Sequence, residues 1–212
     1  MPHIIILFSS ACSASNISLH KISQSGKITG MEITQTLTVT NRDEWRQWLL
    51  EHHAITKEIW LIKYTERSSQ PGISYLQAVE EALCFGWIDG IEKKLDAERF
   101  AQRFTPRSPR SNWTELNKER ARRLIANGKM TNAGLAVLPD LSPDSFHFPE
   151  DILRALQADP QTWENYQHFP DLYKRIRISY IEDARKQPNI FQNRLTNFLK
   201  KTRENKTFGS LE

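Results

Sequence analysis

The segment from Trp87 to Trp113 holds the side chains best suited to chemistry in this sequence. Trp87 and Asp89 are two positions apart on a predicted strand, so both side chains point to the same face. A carboxylate directed toward the interior is costly unless it is paired or hydrogen-bonded. Arg103, on the return arm of a predicted hairpin, is the expected partner of Asp89. The pattern predicts either a structural Asp89–Arg103 bridge or a polar pocket floored by Trp87 and Asp89.

Arg107, Arg110 and Ser111 stand just before a helix that is predicted to begin near Trp113. The first turn of a helix has backbone N–H groups without intrahelical partners, and its dipole favours negative charge. Two guanidiniums beside it add to that attraction. The sequence therefore predicts an anion site at these four residues. Its occupant is either a ligand, such as a phosphate or a carboxylate, or an acidic side chain from residues 130–171 of the protein itself.

The charged residues are unevenly distributed along the chain, which has a net charge of +4. Two basic blocks, residues 93–123 and 172–212, each carry ten basic and four acidic side chains, or +6. Residues 130–171 between them carry one basic and seven acidic side chains, or −6. Such blocks indicate an anion-facing surface, or basic faces that dock on acidic ones. Nucleic-acid binding is a third and weaker option, because no aromatic series interleaves with the basic residues as a single-strand platform requires.

The sequence excludes several classes of site. It has no His-x-x-x-His or Cys-x-x-Cys pair, no glycine-rich phosphate loop and no Gly-x-Ser-x-Gly elbow, so neither a metal nor another cofactor is expected. Its two cysteines, Cys12 and Cys84, exclude a disulfide scaffold and fit a reducing compartment. No apolar run approaches the roughly 18 residues of a transmembrane helix. We therefore expect a cytoplasmic protein without a membrane span, with a periplasmic or envelope-associated location as the alternative.

The elements that must position these residues form an α+β pattern. Alternating and continuous apolar runs predict strands at 33–39 and 59–64, and a hairpin with arms at 87–95 and 98–105. Helical periodicity, capping residues and helix-ending glycines predict helices at 42–53, 74–85, 113–127, 131–138, 149–158, 160–168, 170–186 and 188–204. The predicted fold class is α+β, with a small mixed sheet and helices followed by a helical C-terminal domain.

Composition predicts where the domains begin and end. Residues 1–30 are rich in serine and lack a structural period, so we expect a disordered leader or a mis-assigned start before Met31. An α+β domain is predicted for residues 31–138. The proline-rich stretch 139–148 is predicted to be a linker, and residues 149–205 a helical domain.

Several groups of residues follow one another in a fixed order: Glu81-Ala82-Leu83-Cys84-Phe85-Gly86-Trp87-Ile88-Asp89-Gly90, Arg103-Phe104-Thr105-Pro106-Arg107, Ser111-x-Trp113 with Asn117, and Gly128-x-Met130-Thr131-x-Ala133-Gly134. This order resembles the YdeI/OmpD-associated family, whose members are often labelled bacteriocin-protection proteins. The resemblance covers roughly residues 55–205. It implies an α+β domain with a helical C-terminal part, and a protective or stress-related role. It supplies no catalytic residues.

Two function classes follow. The first is a non-enzymatic binding protein that uses the neighbourhood of Trp87, Asp89, Arg107 and Arg110 for a small anionic ligand or a protein partner. The second is an enzyme acting on a small anionic substrate, with Asp89 as the acid/base and the arginines as a clamp. The absence of histidine, metal and nucleotide motifs favours the first class.

Overall fold

The computed structural model describes residues 18–20, for which only the backbone is considered, and residues 32–211. They form five strands and eight α-helices: β1 (Ser18–His20), β2 (Thr36–Thr38), α1 (Arg42–His52), β3 (Ile59–Tyr64), α2 (Tyr75–Cys84), β4 (Trp87–Lys94), β5 (Arg99–Pro106), α3 (Glu115–Ala126), α4 (Asn132–Leu135), α5 (Glu150–Gln157), α6 (Pro160–His168), α7 (Asp171–Glu182) and α8 (Pro188–Arg203). The predicted α+β class with a helical C-terminal part is confirmed.

The five described strands form one mixed sheet in the order β1-β2-β3-β5-β4. Strand β2 is parallel to β3, whereas β1 is antiparallel to β2 and β5 is antiparallel to β3. Strand β5 therefore lies between β3 and β4. In its register with β3, Phe104 is opposite Ile59 and Arg103 is opposite Trp60. This register decides which side chains can meet Arg103.

Strand β1 lies within the predicted leader. Ser18–His20 form strand β1, with Leu19 opposite Leu37 of β2. A three-residue edge strand needs only backbone pairing with its neighbour, so it leaves no alternating pattern in the sequence. The expectation of a disordered leader or a mis-assigned start for residues 1–30 stays a prediction. The rest of residues 1–30 lies outside the described residues.

Local signals explain where the elements begin and end. The Asn41 side chain accepts a hydrogen bond from the Glu44 N–H at 3.0 Å and so caps α1, while the Glu44 carboxylate accepts one from the N–H of the preceding residue, Thr40, at 2.8 Å. Gly86 has φ +73° and reverses the chain between α2 and β4. A Cβ atom there would lie 2.8 Å from the Ala133 carbonyl oxygen, so glycine is also required sterically.

The described chain falls into two compact units. The first comprises the residues up to Tyr75 together with Asp89–Thr105, and the second comprises Leu76–Ile88 together with the residues from Pro106 onward. Whether residues 31–138 and 149–205 fold independently stays a prediction.

Each unit has its own apolar core. In the first unit, the Trp45 ring of α1 packs against Phe104 with centroids 5.4 Å apart, while Trp60, Ile62 and Ala101 form a separate cluster. In the second unit, the core of the C-terminal helices consists of Ile152, Leu156, Tyr166, Phe169, Tyr173, Ile178, Ile181, Leu195 and Phe198. None of the helices in the described part of the chain combines the length and apolarity that a bilayer crossing requires.

Candidate functional site

The loop between β5 and α3, residues 106–113, contains most of the predicted anion site. Its backbone is fixed by the Arg107 N–H, which donates to the Gly86 carbonyl at 2.8 Å. Ser108 and Ser111 close a turn: the Ser111 N–H donates to the Ser108 carbonyl at 2.9 Å, and the Ser108 N–H donates to the Ser111 hydroxyl oxygen at 3.0 Å. Pro106 and Pro109 restrict the same stretch. The loop is therefore an ordered element, and it contains no acidic residue.

Arg107 and Trp113 come together in this loop, as the sequence places them in one site. The Arg107 guanidinium carbon lies 3.8 Å from the centre of the Trp113 ring, within the range of a cation–π contact. Arg107 is 7% exposed, and its Nη1 donates to the Asn112 carbonyl at 3.1 Å. Because the guanidinium is stacked and hydrogen-bonded, its orientation is set by the protein.

Arg110 has a different environment in the same loop. It is exposed, and it forms no ion pair with any carboxylate among the described residues. Within the loop, the Asn112 amide donates to Asp183 Oδ1 at 2.9 Å. The Asp183 carboxylate therefore contacts the loop through the Asn112 amide. Within the described part of the chain, no acidic residue of 130–171 forms an ion pair with Arg110.

The helix end contributes less than the sequence predicts. Helix α3 begins at Glu115 and is capped by Thr114, whose hydroxyl accepts from the Asn117 N–H at 3.1 Å, so Ser111 is not part of the cap. The Glu115 N–H donates to the Ser179 hydroxyl oxygen at 3.2 Å. The predicted free donors at these two positions are therefore already used within the protein.

The first turn of α3 also carries its own buried anion. The Glu115 side chain is 2% exposed and is surrounded by Lys118 Nζ at 2.9 Å, Arg175 Nε at 3.5 Å and Arg122 Nη2 at 4.0 Å. A carboxylate at this position interacts favourably with the helix dipole. Sequence reasoning missed this cluster, although the i,i+3 spacing of Glu115 and Lys118 is a detectable signal.

The predicted Asp89–Arg103 bridge is wrong. Arg103 is bound by Glu58, with Nε to Oε2 at 2.7 Å and Nη2 to Oε2 at 2.6 Å. A Cβ atom on Gly90 would lie 3.9 Å from the Arg103 Cβ, so position 90 shares a face with Arg103. Because alternate residues of a strand point to opposite faces, Asp89 points away from Arg103.

Asp89 belongs to a different polar cluster in the first unit. Its Oδ2 accepts a hydrogen bond from the Tyr75 hydroxyl at 2.7 Å, and Lys63 Nζ lies 4.9 Å from the centre of the Tyr75 ring. Lys63 Nζ is also 2.5 Å from Glu92 Oε2. Trp87 is 1% exposed and is a core side chain, so it does not floor an open pocket.

A cavity of about 490 Å³ lies among α5, α6 and α8 in the second unit. Its lining mixes apolar and charged side chains: Ala155, Asp159, Thr162, Thr196, Leu199, Lys200, Arg203 and Glu204. Asp159 is occupied there, because its Oδ2 accepts from the Thr162 N–H at 2.9 Å and from the Thr162 hydroxyl at 2.6 Å. None of the residues predicted for the site lines this cavity. Within residues 18–20 and 32–211, no group of three or more His, Cys, Asp or Glu side chains is arranged to hold a metal ion.

Residues 145–205 match the family model described as "Bacteriocin-protection, YdeI or OmpD-Associated". The predicted family resemblance is confirmed. A separate family model, described as "Domain of unknown function (DUF8412)", matches residues 37–137. In the comparisons with curated proteins and with solved structures, nothing matches the chain.

The two matches divide the features described above. The YdeI/OmpD-associated segment contains α5–α8 and the cavity among them. All seven predicted site residues, and the residue groups between Glu81 and Gly134 that carry the resemblance, fall in the segment matched by the other model. The family match therefore assigns neither a ligand nor a reaction to the Arg107 loop.

Proposed function

We propose that this protein is a non-enzymatic binding protein of the bacteriocin-protection type, and that its loop 106–113 binds a phosphate-type oxyanion through Arg107 and Arg110. The family match of residues 145–205 supports the protective role. The observation that carries the binding proposal is the stacking of Arg107 on Trp113 within an ordered loop that contains two arginines and no acid.

The stacked guanidinium is suited to anions for a physical reason. Arginine presents its N–H donors in a planar fork that matches phosphate and carboxylate oxygens. A free arginine side chain loses about 2 kcal/mol of rotamer entropy when it is immobilised. Arg107 is already immobilised by the Trp113 ring and the Asn112 carbonyl, so binding does not incur that cost again.

Arg110 supplies the second charge. It is exposed and has no ion pair with a described carboxylate, so its guanidinium is not neutralised by the residues around it. A tetrahedral oxyanion offers several acceptor oxygens to two guanidiniums, whereas a carboxylate offers two. This difference is the reason for preferring a phosphate-type ligand.

The structure offers less support for an enzyme. The alternative requires Asp89 as an acid/base with arginines that clamp the substrate. Arg103 is engaged by Glu58, and Asp89 is engaged by the Tyr75 hydroxyl. The carboxylate of Asp89, which is the acid/base of that alternative, is therefore already hydrogen-bonded within the protein.

Calorimetric titration of the full chain with inorganic phosphate tests the proposal, with chloride of matched ionic strength as the reference. We expect saturable phosphate binding that Arg110→Gln weakens about tenfold, which corresponds to roughly 1.4 kcal/mol. Arg154→Gln, which changes an exposed arginine of α5, is the matched control and retains the wild-type affinity. A parallel titration with vesicles containing phosphatidic acid distinguishes a lipid phosphate from the free ion.

Two results contradict the proposal. The first is phosphate binding no stronger than chloride binding in the wild-type chain. The second is an equal loss of affinity in Arg110→Gln and Arg154→Gln, because it would reflect the net charge of the protein and not the loop.

A further inference from the structure

Arg177 of α7 is a buried charge for which the described residues supply no anionic partner. It is 7% exposed, and no carboxylate among the described residues forms an ion pair with it. Its Nε atom is buried and has no hydrogen-bond partner there. Burial also lowers the pKa of this guanidinium from its ordinary value. An uncompensated buried charge is costly, so its surroundings show what stabilises it.

Three aromatic rings surround the Arg177 guanidinium. Its central carbon lies 5.9 Å from the centre of the Tyr173 ring, 5.8 Å from that of Tyr180 and 5.6 Å from that of Phe208. Aromatic faces attract a cation, which offsets part of the cost of burial. They do not fill the in-plane positions where a guanidinium binds oxygen atoms.

We call the three rings around Arg177 the cage. One of them, Phe208, belongs to the C-terminal strap, which we define as residues 208–211. The Ser210 carbonyl accepts from Arg177 Nη2 at 2.7 Å, and the Phe208 N–H donates to the Tyr173 hydroxyl oxygen at 3.4 Å. The Phe208 ring lies 6.4 Å from the Phe198 ring, centre to centre. The strap therefore contacts Arg177 in two ways. The Phe208 ring packs among apolar side chains, and the Ser210 carbonyl oxygen accepts a hydrogen bond from the guanidinium.

Gly209 allows the strap to lie so close to Arg177. It has φ +75°, in the region that favours glycine, and a Cβ atom there would lie 1.9 Å from Arg177 Nη1 and 2.8 Å from Cζ. A side chain at this position would displace either the strap or the guanidinium. The position of the strap against Arg177 thus depends on Gly209, and a substitution there tests it.

We propose that Arg177 is a carboxylate-binding site covered by the strap, and that an aromatic carboxylate displaces the strap by placing its ring where Phe208 lies and its carboxylate where the Ser210 carbonyl lies. A carboxylate can accept two parallel N–H bonds from a guanidinium and also neutralises its charge, whereas a carbonyl offers a single uncharged oxygen. The neutral carbonyl of Ser210 is therefore the weaker occupant. The ring–guanidinium distance of 5.6 Å sets the length of the ligand, with its carboxylate a few bonds from its ring.

The probe is 3-phenylpropionate, and the uncharged alcohol 3-phenylpropanol is its control ligand. Calorimetric titration of the full chain compares the wild type with Gly209→Val, which opens the strap, and with Thr207→Ala, a change at an exposed neighbouring position that leaves Gly209 in place. We expect Gly209→Val to bind 3-phenylpropionate at least tenfold more tightly than the other two proteins, and not to bind the alcohol. Equal affinities in the three proteins, or equal binding of acid and alcohol, overturn the proposal.

Hydrogen exchange on the wild-type chain provides a second test that does not depend on how Gly209→Val folds. Saturating 3-phenylpropionate is expected to accelerate exchange of the Phe208 amide and to leave the amides of α7 unchanged. Unchanged or slower exchange at Phe208 contradicts displacement of the strap. The Arg110→Gln variant should show the same acceleration as the wild type, because the Arg107 loop is not involved. Loss of the effect in that variant also overturns the proposal.

Discussion

Arg103 Nε donates a hydrogen bond at 2.7 Å to Oε2 of Glu58, a residue 45 positions earlier in the chain, and Arg103 Nη2 forms an ion pair with the same oxygen. The other carboxylate oxygen of Glu58 accepts from the Thr34 hydroxyl at 2.5 Å. Both side chains are about three-quarters buried, with exposed fractions of 26% for Arg103 and 21% for Glu58. This small network ties strand β5 to the segments that precede β2 and β3.

The network predicts measurable coupling between Glu58 and Arg103. A double-mutant cycle with Glu58→Gln and Arg103→Met should give a coupling free energy of about 1–2 kcal/mol, as for a charge-assisted hydrogen bond that is partly exposed. Urea unfolding supplies the four free energies. Asp89→Asn combined with Arg103→Met is the control cycle and should be additive. Coupling in the control cycle that equals or exceeds the Glu58 coupling would show that the pairing is misassigned.

Because the Glu58 carboxylate is ionisable, we expect the free energy of unfolding to depend on pH. The hydrogen bond from Thr34 and the bond and charge of Arg103 hold the pKa of Glu58 below its ordinary value of 4.5, against the opposing effect of burial. The folded state therefore favours the ionised form, so this stabilisation is present above pH 4.5 and is lost as the pH falls through the folded pKa. The stability difference between wild type and Glu58→Gln should shrink as urea unfolding is repeated at decreasing pH. If the stability difference between wild type and Glu58→Gln stays constant down to the lowest pH, the lowered pKa of Glu58 is refuted.

We expect a side chain at position 134, in α4, to clash with its neighbours. A Cβ atom there would lie 2.3 Å from the Cys84 carbonyl oxygen and 2.5 Å from Met130 Sδ. The sulfur can move, but the backbone oxygen cannot move freely, so Gly134→Ala should destabilise the protein by about 1–3 kcal/mol. Gly90→Ala is the control, since its Cβ would have no contact closer than 3.7 Å. Thermal unfolding that ranks the two variants in the opposite order would contradict this packing.

We expect removal of the Trp113 ring to lower the affinity for phosphate, although the substitution leaves the charge of the protein unchanged. Removing the ring releases the Arg107 guanidinium, so Trp113→Leu should weaken phosphate binding at least about two- to fivefold, which corresponds to the low end of the energies of cation–π contacts. Trp163→Leu removes a partly buried ring in α6 that stacks on Tyr166 and serves as the control. Calorimetry measures both variants. An unchanged phosphate affinity in Trp113→Leu would mean that the stack does not orient Arg107 for binding.

Local features of the sequence predict the helices well. The Asn41 cap with Glu44, the left-handed Gly86 and Gly128, and the opening Pro188 all act within a few residues of the boundary they set. Such interactions depend on neighbouring positions in the chain, so they are visible without tertiary structure. The predicted helices therefore differ from the observed ones by only a few residues at their ends.

Contacts between distant segments are not predictable in the same way. The pairing of Arg103 with Glu58 depends on the register of β5 with β3, and a one-residue shift would turn the side chain to the other face. The Arg107–Trp113 contact is different, because it joins residues of one loop, and the sequence predicts both in one site. The cage around Arg177 joins α7 to the strap, and no spacing rule connects those residues.

The central claim is that the Arg107 loop binds an oxyanion, and the indole N–H resonance of Trp113 reports on it most directly. A phosphate titration of the nitrogen-15-labelled full chain, with the peak assigned by Trp113→Leu, should shift this resonance saturably. The same titration should leave the buried Trp60 and Trp87 resonances in place. Chloride at matched ionic strength should not reproduce the shift, and Arg110→Gln should reduce it. A Trp113 resonance that does not move with phosphate, or that moves equally with chloride, would contradict the account.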